Sequence, residues 1–311
     1  MEAFYSHCHL AGPLACAFYA ESPMAIKGRL DALLAKAKVN PVIITESDLG
    51  PMMPEIVSYS RIKQMISTVL YQPVLMFPRM AEVLTALEKG DGRPFYEYRL
   101  AGSTPSSLCS LETVPPTIPM PRIEEGTADA APAIMCSDLE LVNYTVEEFE
   151  EYANRLQDMS ASTGAVGAMT RLSCVGRTVR PKWRFGGPFG GNTSFPILFI
   201  ANIADNVTPL ISARNNSASF PGSVLLVQNS YGHTSLAAAS SCTARYIRDY
   251  FQKGTLPLTR DAMCEADVQP FGTAASLDTE GGRDVDADLS RAVQELSQKA
   301  RWDVIPKRQF L

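Results

Sequence analysis

Long apolar runs, closely paired cysteines and an excess of either charge are all missing from this chain of 311 residues. Its main apolar stretch, residues 196–203, is strand-sized and falls well short of the roughly eighteen residues of a membrane span. The seven cysteines form no C-x-x-C and no Cys/His group at metal-ligand spacing, so no bound metal is expected. Lys plus Arg is 28 and Asp plus Glu is 33, a net charge of −5. Such a chain has no electrostatic pull toward nucleic acid or anionic lipid, and neither is an expected partner. No basic segment followed by an apolar one opens the sequence, so no signal peptide is expected. A glycine-rich loop joining strand to helix is absent, which argues against a nucleotide site. Absent too is any Gly-x-Ser-x-Gly, or its Cys equivalent, the tight turn that exposes a nucleophile.

What remains is ordinary globular material, 46% apolar and 20% charged. The first hundred residues read as short helices separated by proline-marked turns. Ser22 before Pro23 starts one helix, whose Ile26, Leu30, Leu33 and Leu34 recur at helical spacing until Asn40 and Pro41. Ile62, Met65, Ile66, Val69 and Leu70 make a second stripe. Met80, Val83, Leu84 and Leu87 make a third, closed by Gly90. Residues 101–132 carry six prolines among scattered Ser and Thr, which excludes a helix or central strand there. Thr145 and Glu148 then form a capping-box pattern ahead of Phe149, Leu156 and Met159. His7, Cys8 and His9 look like a ligand cluster, but adjacent side chains point in different directions, and a surface segment beside a disulfide is the plainer reading. Four Asn-x-Ser/Thr triplets, at Asn143, Asn192, Asn206 and Asn215, lean toward an exported ancestor, against the missing signal peptide.

Between residues 183 and 254 the pattern changes. Residues 196–202 are a continuous apolar run, the mark of a strand buried on both faces. Thr208-Pro209 caps the next helix, and residues 223–228 are a second buried strand followed by a helix that runs to Gly254. Strand, helix, strand, helix in this space predicts a parallel βαβα unit and an α/β fold. Function in such sheets sits beyond the carboxyl ends of the strands. Asp205 falls just past the first strand and His233 just past the second. Neighbouring parallel strands set those loops side by side, where a carboxylate would fix the tautomer of an imidazole acting as general base. Asp205 and His233 are therefore the candidate catalytic residues. The order Asp then His is also that of the last two members of an α/β-hydrolase triad.

Several segments resemble the C-terminal part of the tripeptidyl-aminopeptidase-like α/β-hydrolases, secreted serine exopeptidases related to proline iminopeptidases, with fungal members most similar. The strongest are F-G-G-P-F at 185–189, N-T-S-F-P-I-L-F-I-A-N at 192–202, A-D-N-V-T-P-L at 204–210, Y-G-H-T-S-L at 231–236, C-T-A-R-Y-I at 242–247 and G-T-L-P at 254–257. C-E-A-D at 264–267 followed by P-F-G at 270–272 is worded like the fungal members, and weaker matches upstream are Cys8 and Cys16 around A-G-P, R-L-S-C at 171–174 and V-R-P-K-W at 179–183. The resemblance implies that Asp205 and His233 are triad acid and base, with no cofactor and a peptide or small amide or ester substrate. It also implies the disulfides Cys8–Cys16, Cys136–Cys174 and Cys242–Cys264, leaving Cys109 over. Departures from the family pattern are Asn206 for a usual Pro, Thr234 for a frequent Cys and Arg177 for a usual Trp. The oxyanion His-Gly-Gly is also missing, and the Gly-rich run at 185–191 reads better as a tight connection with close backbone approach.

The resulting expectation is an incomplete α/β-hydrolase fold, a helical cap plus the last βαβα of its parallel sheet. Residues 1–182 would be the cap with its proline-rich excursion, 183–272 the core segment with Asp and His, and 273–311 a polar tail ending in a helix through Leu289, Val293 and Leu296. A second reading stays open beside the hydrolase: a non-catalytic pseudo-hydrolase that binds a ligand or partner, for instance in a biosynthetic pathway. Two strands with open edges predict a homodimer or a complementing partner chain. Resemblance implies secretion; a true start at Met1 would imply the cytoplasm.

Overall fold

The computed structural model describes residues 1–45, 54–100, 130–140, 143–272 and 284–299. They fall into two compact units, one within Met1–Tyr96 and Gly187–Trp302, the other within Glu97–Gly186.

The first unit opens with helices α1 (Glu2–Ala15) and α2 (Pro23–Val39). Gly12, at φ +76°, breaks the end of α1, and the Cys8–Cys16 disulfide ties that end back. Ser22 caps α2 by accepting the N–H of Ala25, with Pro23 following in the first turn, as its sequence predicts. A two-stranded antiparallel pair, β1 (Val42–Ile44) and β2 (Glu55–Val57), then leads into α3 (Tyr59–Val69) and α4 (Pro73–Glu88). The three apolar stripes converge: Ile26, Leu30, Ile62, Ile66, Met80, Leu84 and Leu87 are all buried. Phe4 joins them, its ring edge-to-face with Phe77 at 5.1 Å. Each such side chain contributes about 1.5–3 kcal/mol on burial, so this helical cluster is a true core.

The second unit contains α6 (Ala130–Asp138), α7 (Val146–Met159) and α8 (Gly164–Leu172), while the short α5 (Arg93–Leu100) runs across the boundary between the units. The Cys136–Cys174 disulfide joins α6 to the residues after α8. The capping box at the start of α7 is formed in both directions, Thr145 Oγ1 accepting the N–H of Glu148 and Glu148 accepting that of Thr145. Replacing Thr145 by Ala is expected to cost about 1 kcal/mol of local stability, read as faster amide exchange in the first turn of α7. The stripe of Phe149, Leu156 and Met159 packs only partly, since no residue of α7 is buried and Met159 stays exposed.

The sheet of the first unit is parallel, in the order β3 (Leu198–Ala204), β4 (Val224–Tyr231) and β5 (Asp261–Glu265). Helix α9 (Leu210–Ala218) crosses between the first two strands and packs Leu210 and Ala213 on Ala201, Leu225 and Val227. Helix α10 (Ser241–Lys253) crosses to β5 and lays Cys242 and Tyr246 on Leu226, Ala262 and Cys264. Alternate β4 residues therefore face different helices, which is why the run from Leu225 to Val227 is apolar without interruption. The fold is α/β, consistent with part of an α/β-hydrolase. The third strand was not expected, and β3 is less enclosed than its sequence predicts. Leu198, Phe199 and Ile200 are only half-buried because β4 is the one strand paired with β3 among the described residues. A final helix, α11 (Asp284–Lys299), packs against α10, with the Ser241 and Ser290 hydroxyls 2.6 Å apart.

All three disulfides implied by the resemblance are present, the third joining Cys242 of α10 to Cys264 of β5. Cys109 and the proline-rich stretch lie outside the described residues, apart from Pro132 in α6.

Candidate active site

Asp205 follows β3 directly, and its carboxylate organises the turn that leads to α9. Oδ1 accepts the backbone N–H of Val207 at 2.7 Å and of Thr208 at 2.9 Å. Oδ2 accepts the Thr208 hydroxyl at 2.8 Å and the N–H of Thr234 at 3.3 Å. Thr208 thus spends its side chain on Asp205. It does not cap α9 as the sequence predicts: the cap position is Pro209, which offers no side-chain bond.

His233 is reached from the next strand. After β4 the chain turns at Gly232, whose N–H is donated to Ala204 O at 2.9 Å. A Cβ at Gly232, with φ at +107°, would come within 2.5 Å of Pro73 Cδ and 2.7 Å of Tyr71 O, so the turn fits only glycine. The His233 N–H is donated to Tyr71 O at 2.9 Å, and the Tyr71 ring meets the imidazole edge-on at 5.4 Å. Thr234 then takes the left-handed region at φ +69°, uncommon for a β-branched residue and held in place as its N–H is donated to Asp205 Oδ2 and its Oγ1 accepts the N–H of Leu236.

These two turns bring the predicted residues together. His233 Nδ1 lies 3.0 Å from Asp205 Oδ2 and 3.2 Å from Oδ1. The Asp205 side chain is 3% exposed and that of His233 is 16% exposed. Burial alone pushes the Asp205 carboxyl up. The N–H donations of Thr208 and Val207, the Thr208 hydroxyl and His233 outweigh it, and the group is held below the usual carboxylate range. An ionised carboxylate only accepts, so Nδ1 carries a proton and is the donor to Asp205. Burial, and then the charge of Asp205, push the Tyr71 phenol up, which keeps it protonated at neutral pH. Chemically, the arrangement presents an imidazole whose Nδ1 is held by a buried anion, the anion being able to stabilise the ring's protonated form.

The other sequence candidates go elsewhere. Cys8 is in a disulfide, His9 Nδ1 lies 3.1 Å from Ala20 O, and the His7 ring packs edge-on against Tyr231. No group of three or more His, Cys, Asp or Glu among the described residues is placed to hold a metal ion. In the Gly-rich run, Gly190 lies so close to the end of α9 that a Cβ would meet Ser219 O at 2.7 Å, the close approach its sequence predicts. Tyr71 gave no signal in the sequence, because it reaches His233 only through long-range packing of the helical segment. Asn202 and Gln228, polar residues buried in the strands beside the site, did carry one: Asn202 interrupts an apolar run and Gln228 ends one.

Residues 160–264 match the model of the α/β-hydrolase family described as TAP-like protein. The match spans about a third of the chain and includes β3, β4, Asp205 and His233. No curated protein matches the chain.

Proposed function

We propose that Asp205 and His233 are the acid and base of a serine-hydrolase apparatus that cleaves peptide or related amide and ester bonds. Its nucleophile comes from sequence outside these 311 residues, either on a longer polypeptide or on a companion chain. The observation that carries this reading is the buried carboxylate bonded to His233 Nδ1 at 3.0 Å, across the ends of neighbouring parallel strands. The match to a hydrolase family over the same strands supports it. So does the place of β3 at the sheet's margin among the described residues, where a further strand bearing the nucleophile can pair. In the reaction His233 Nε2 would take the serine proton and return it to the leaving group, while Asp205 stays ionised and balances the imidazolium.

Fluorophosphonate labelling tests the proposal. The 311-residue chain expressed alone is expected to stay unlabelled, since it has no Gly-x-Ser-x-Gly. The native assembly, captured from its source through this chain, is expected to show one labelled serine, lost on His233→Ala. Labelling of a serine within residues 1–311 would refute the external nucleophile. A native assembly with no labelled serine would favour the ligand- or partner-binding pseudo-hydrolase, which the missing nucleophile motif and oxyanion loop also support.

A further inference from the structure

Asn202 on β3 and Gln228 on β4 stand opposite each other in register. Both are buried, at 1% and 0% exposure, on the face that otherwise carries Ile200 and Leu226 toward α10. A primary amide in such surroundings is costly unless its hydrogens are used. Asn202 Nδ2 donates to Gly232 O at 2.8 Å and to Thr234 O at 2.7 Å. Gln228 Nε2 donates to Ser230 Oγ at 3.0 Å, Ala238 O at 3.0 Å and Ser235 O at 3.3 Å. Turning either amide over would set its oxygen against carbonyl oxygens, so the donor orientation is fixed by its partners.

The two carbonyls held by Asn202 belong to the residues immediately before and after His233. Three positions along the same chain, Asp205 takes the ring that this backbone presents. One strand end therefore fixes both the main chain and the side chain of the histidine. The Asn202 oxygen and the Gln228 oxygen are meanwhile buried without a hydrogen-bond partner, a cost that an apolar residue at either position would avoid. What justifies these amides physically is their N–H groups, and those point at the loop from Ser230 to Ala238.

We propose that Asn202 is a positioning residue for the Asp205–His233 couple, with Gln228 bracing the far half of the same loop. The inference rests on the acid–base reading of that couple. The chain has only three histidines, so ¹⁵N-histidine labelling resolves each ring, with His233 assigned from His233→Gln. In Asn202→Ala and Asn202→Asp the His233 Nδ1–H resonance is expected to move upfield. Its exchange with water should quicken by about tenfold or more, the scale set by losing two buried hydrogen bonds from a local opening equilibrium. The signals of His7 and His9 should stay in place, which a general loosening of the fold would not allow. An unchanged His233 resonance in folded Asn202→Ala would overturn the proposal. Should neither variant fold, trans-hydrogen-bond couplings from Asn202 Nδ2 to the carbonyl carbons of Gly232 and Thr234 are expected in the unaltered chain, and their absence would overturn it instead. Asp205→Asn separates the two ideas: a His233 resonance indifferent to that change defeats the acid–base couple, whatever Asn202 does.

Discussion

Asp205→Ala is expected to be among the most damaging single substitutions in the first unit, lowering stability by about 3–5 kcal/mol in urea denaturation at neutral pH. Three backbone N–H groups, those of Val207, Thr208 and Thr234, lose their acceptor at once, together with the Thr208 hydroxyl and His233 Nδ1. Each unmet buried donor costs about 1–3 kcal/mol, reduced where water can enter the gap. The effect should depend on pH in a definite direction. Asp205 binds its proton more weakly in the folded chain than in the unfolded one. Its share of stability is therefore complete above the ordinary carboxylate value of about 3.9 and drains away as pH falls through the lower folded value. The difference in melting temperature between the unaltered chain and Asp205→Ala should narrow across that acid window. A difference that stays constant down to the lowest measurable pH would mean that the carboxylate is not held as the hydrogen bonds imply. With the nucleophile present, Asp205→Asn is expected to cut turnover by about 10⁴-fold, the scale of losing the correct histidine tautomer.

Cleaving Cys136–Cys174 should have the largest effect on the second unit, about 4 kcal/mol from the freedom returned to an unfolded loop 38 residues long. Little else holds that unit together. Its buried residues among those described are Cys136, Gly164, Ala168 and Cys174, and Leu139 and Tyr144 pack directly on the cystine. Arg180 adds donations to the carbonyls of Cys136 and Leu139, but these depend on the same segment staying folded. In the Cys136→Ser, Cys174→Ser double variant, limited proteolysis should cut within α7 and α8 at enzyme levels that leave β3 to β5 intact. Equal resistance in the two proteins would show that the helices stand without the covalent tie.

The first unit contrasts with this. Its helical stripes were readable because each repeats at 3.6 residues and meets the others in one core, so local pattern and tertiary packing agree. Strands β3 and β4 were readable as apolar runs. Strand β5 was not, since Asp261, Met263 and Glu265 alternate with Ala262 and Cys264, a short and mostly polar run. Its place is set by pairing with β4 and by the disulfide to α10, neither of which leaves a trace in so short a sequence. The three-residue pair β1 and β2 escaped for the same reason.

The candidate site divides along a similar line. The positions of Asp205 and His233 just beyond two apolar strands follow from the sequence, because parallel pairing of adjacent βα units forces neighbouring strand ends together. That a nucleophile turn is missing is equally a property of the letters themselves. Only the folded chain decided that Thr208 serves Asp205 and leaves α9 uncapped. The same holds for Tyr71, which supports His233 from a distant helical segment, and for the amide of Asn202, which brackets the histidine backbone. Hydrophobic period and strand order act over neighbouring residues and are written locally. Hydrogen-bond partners across long separations are chosen by packing, and the sequence holds them only through the whole structure.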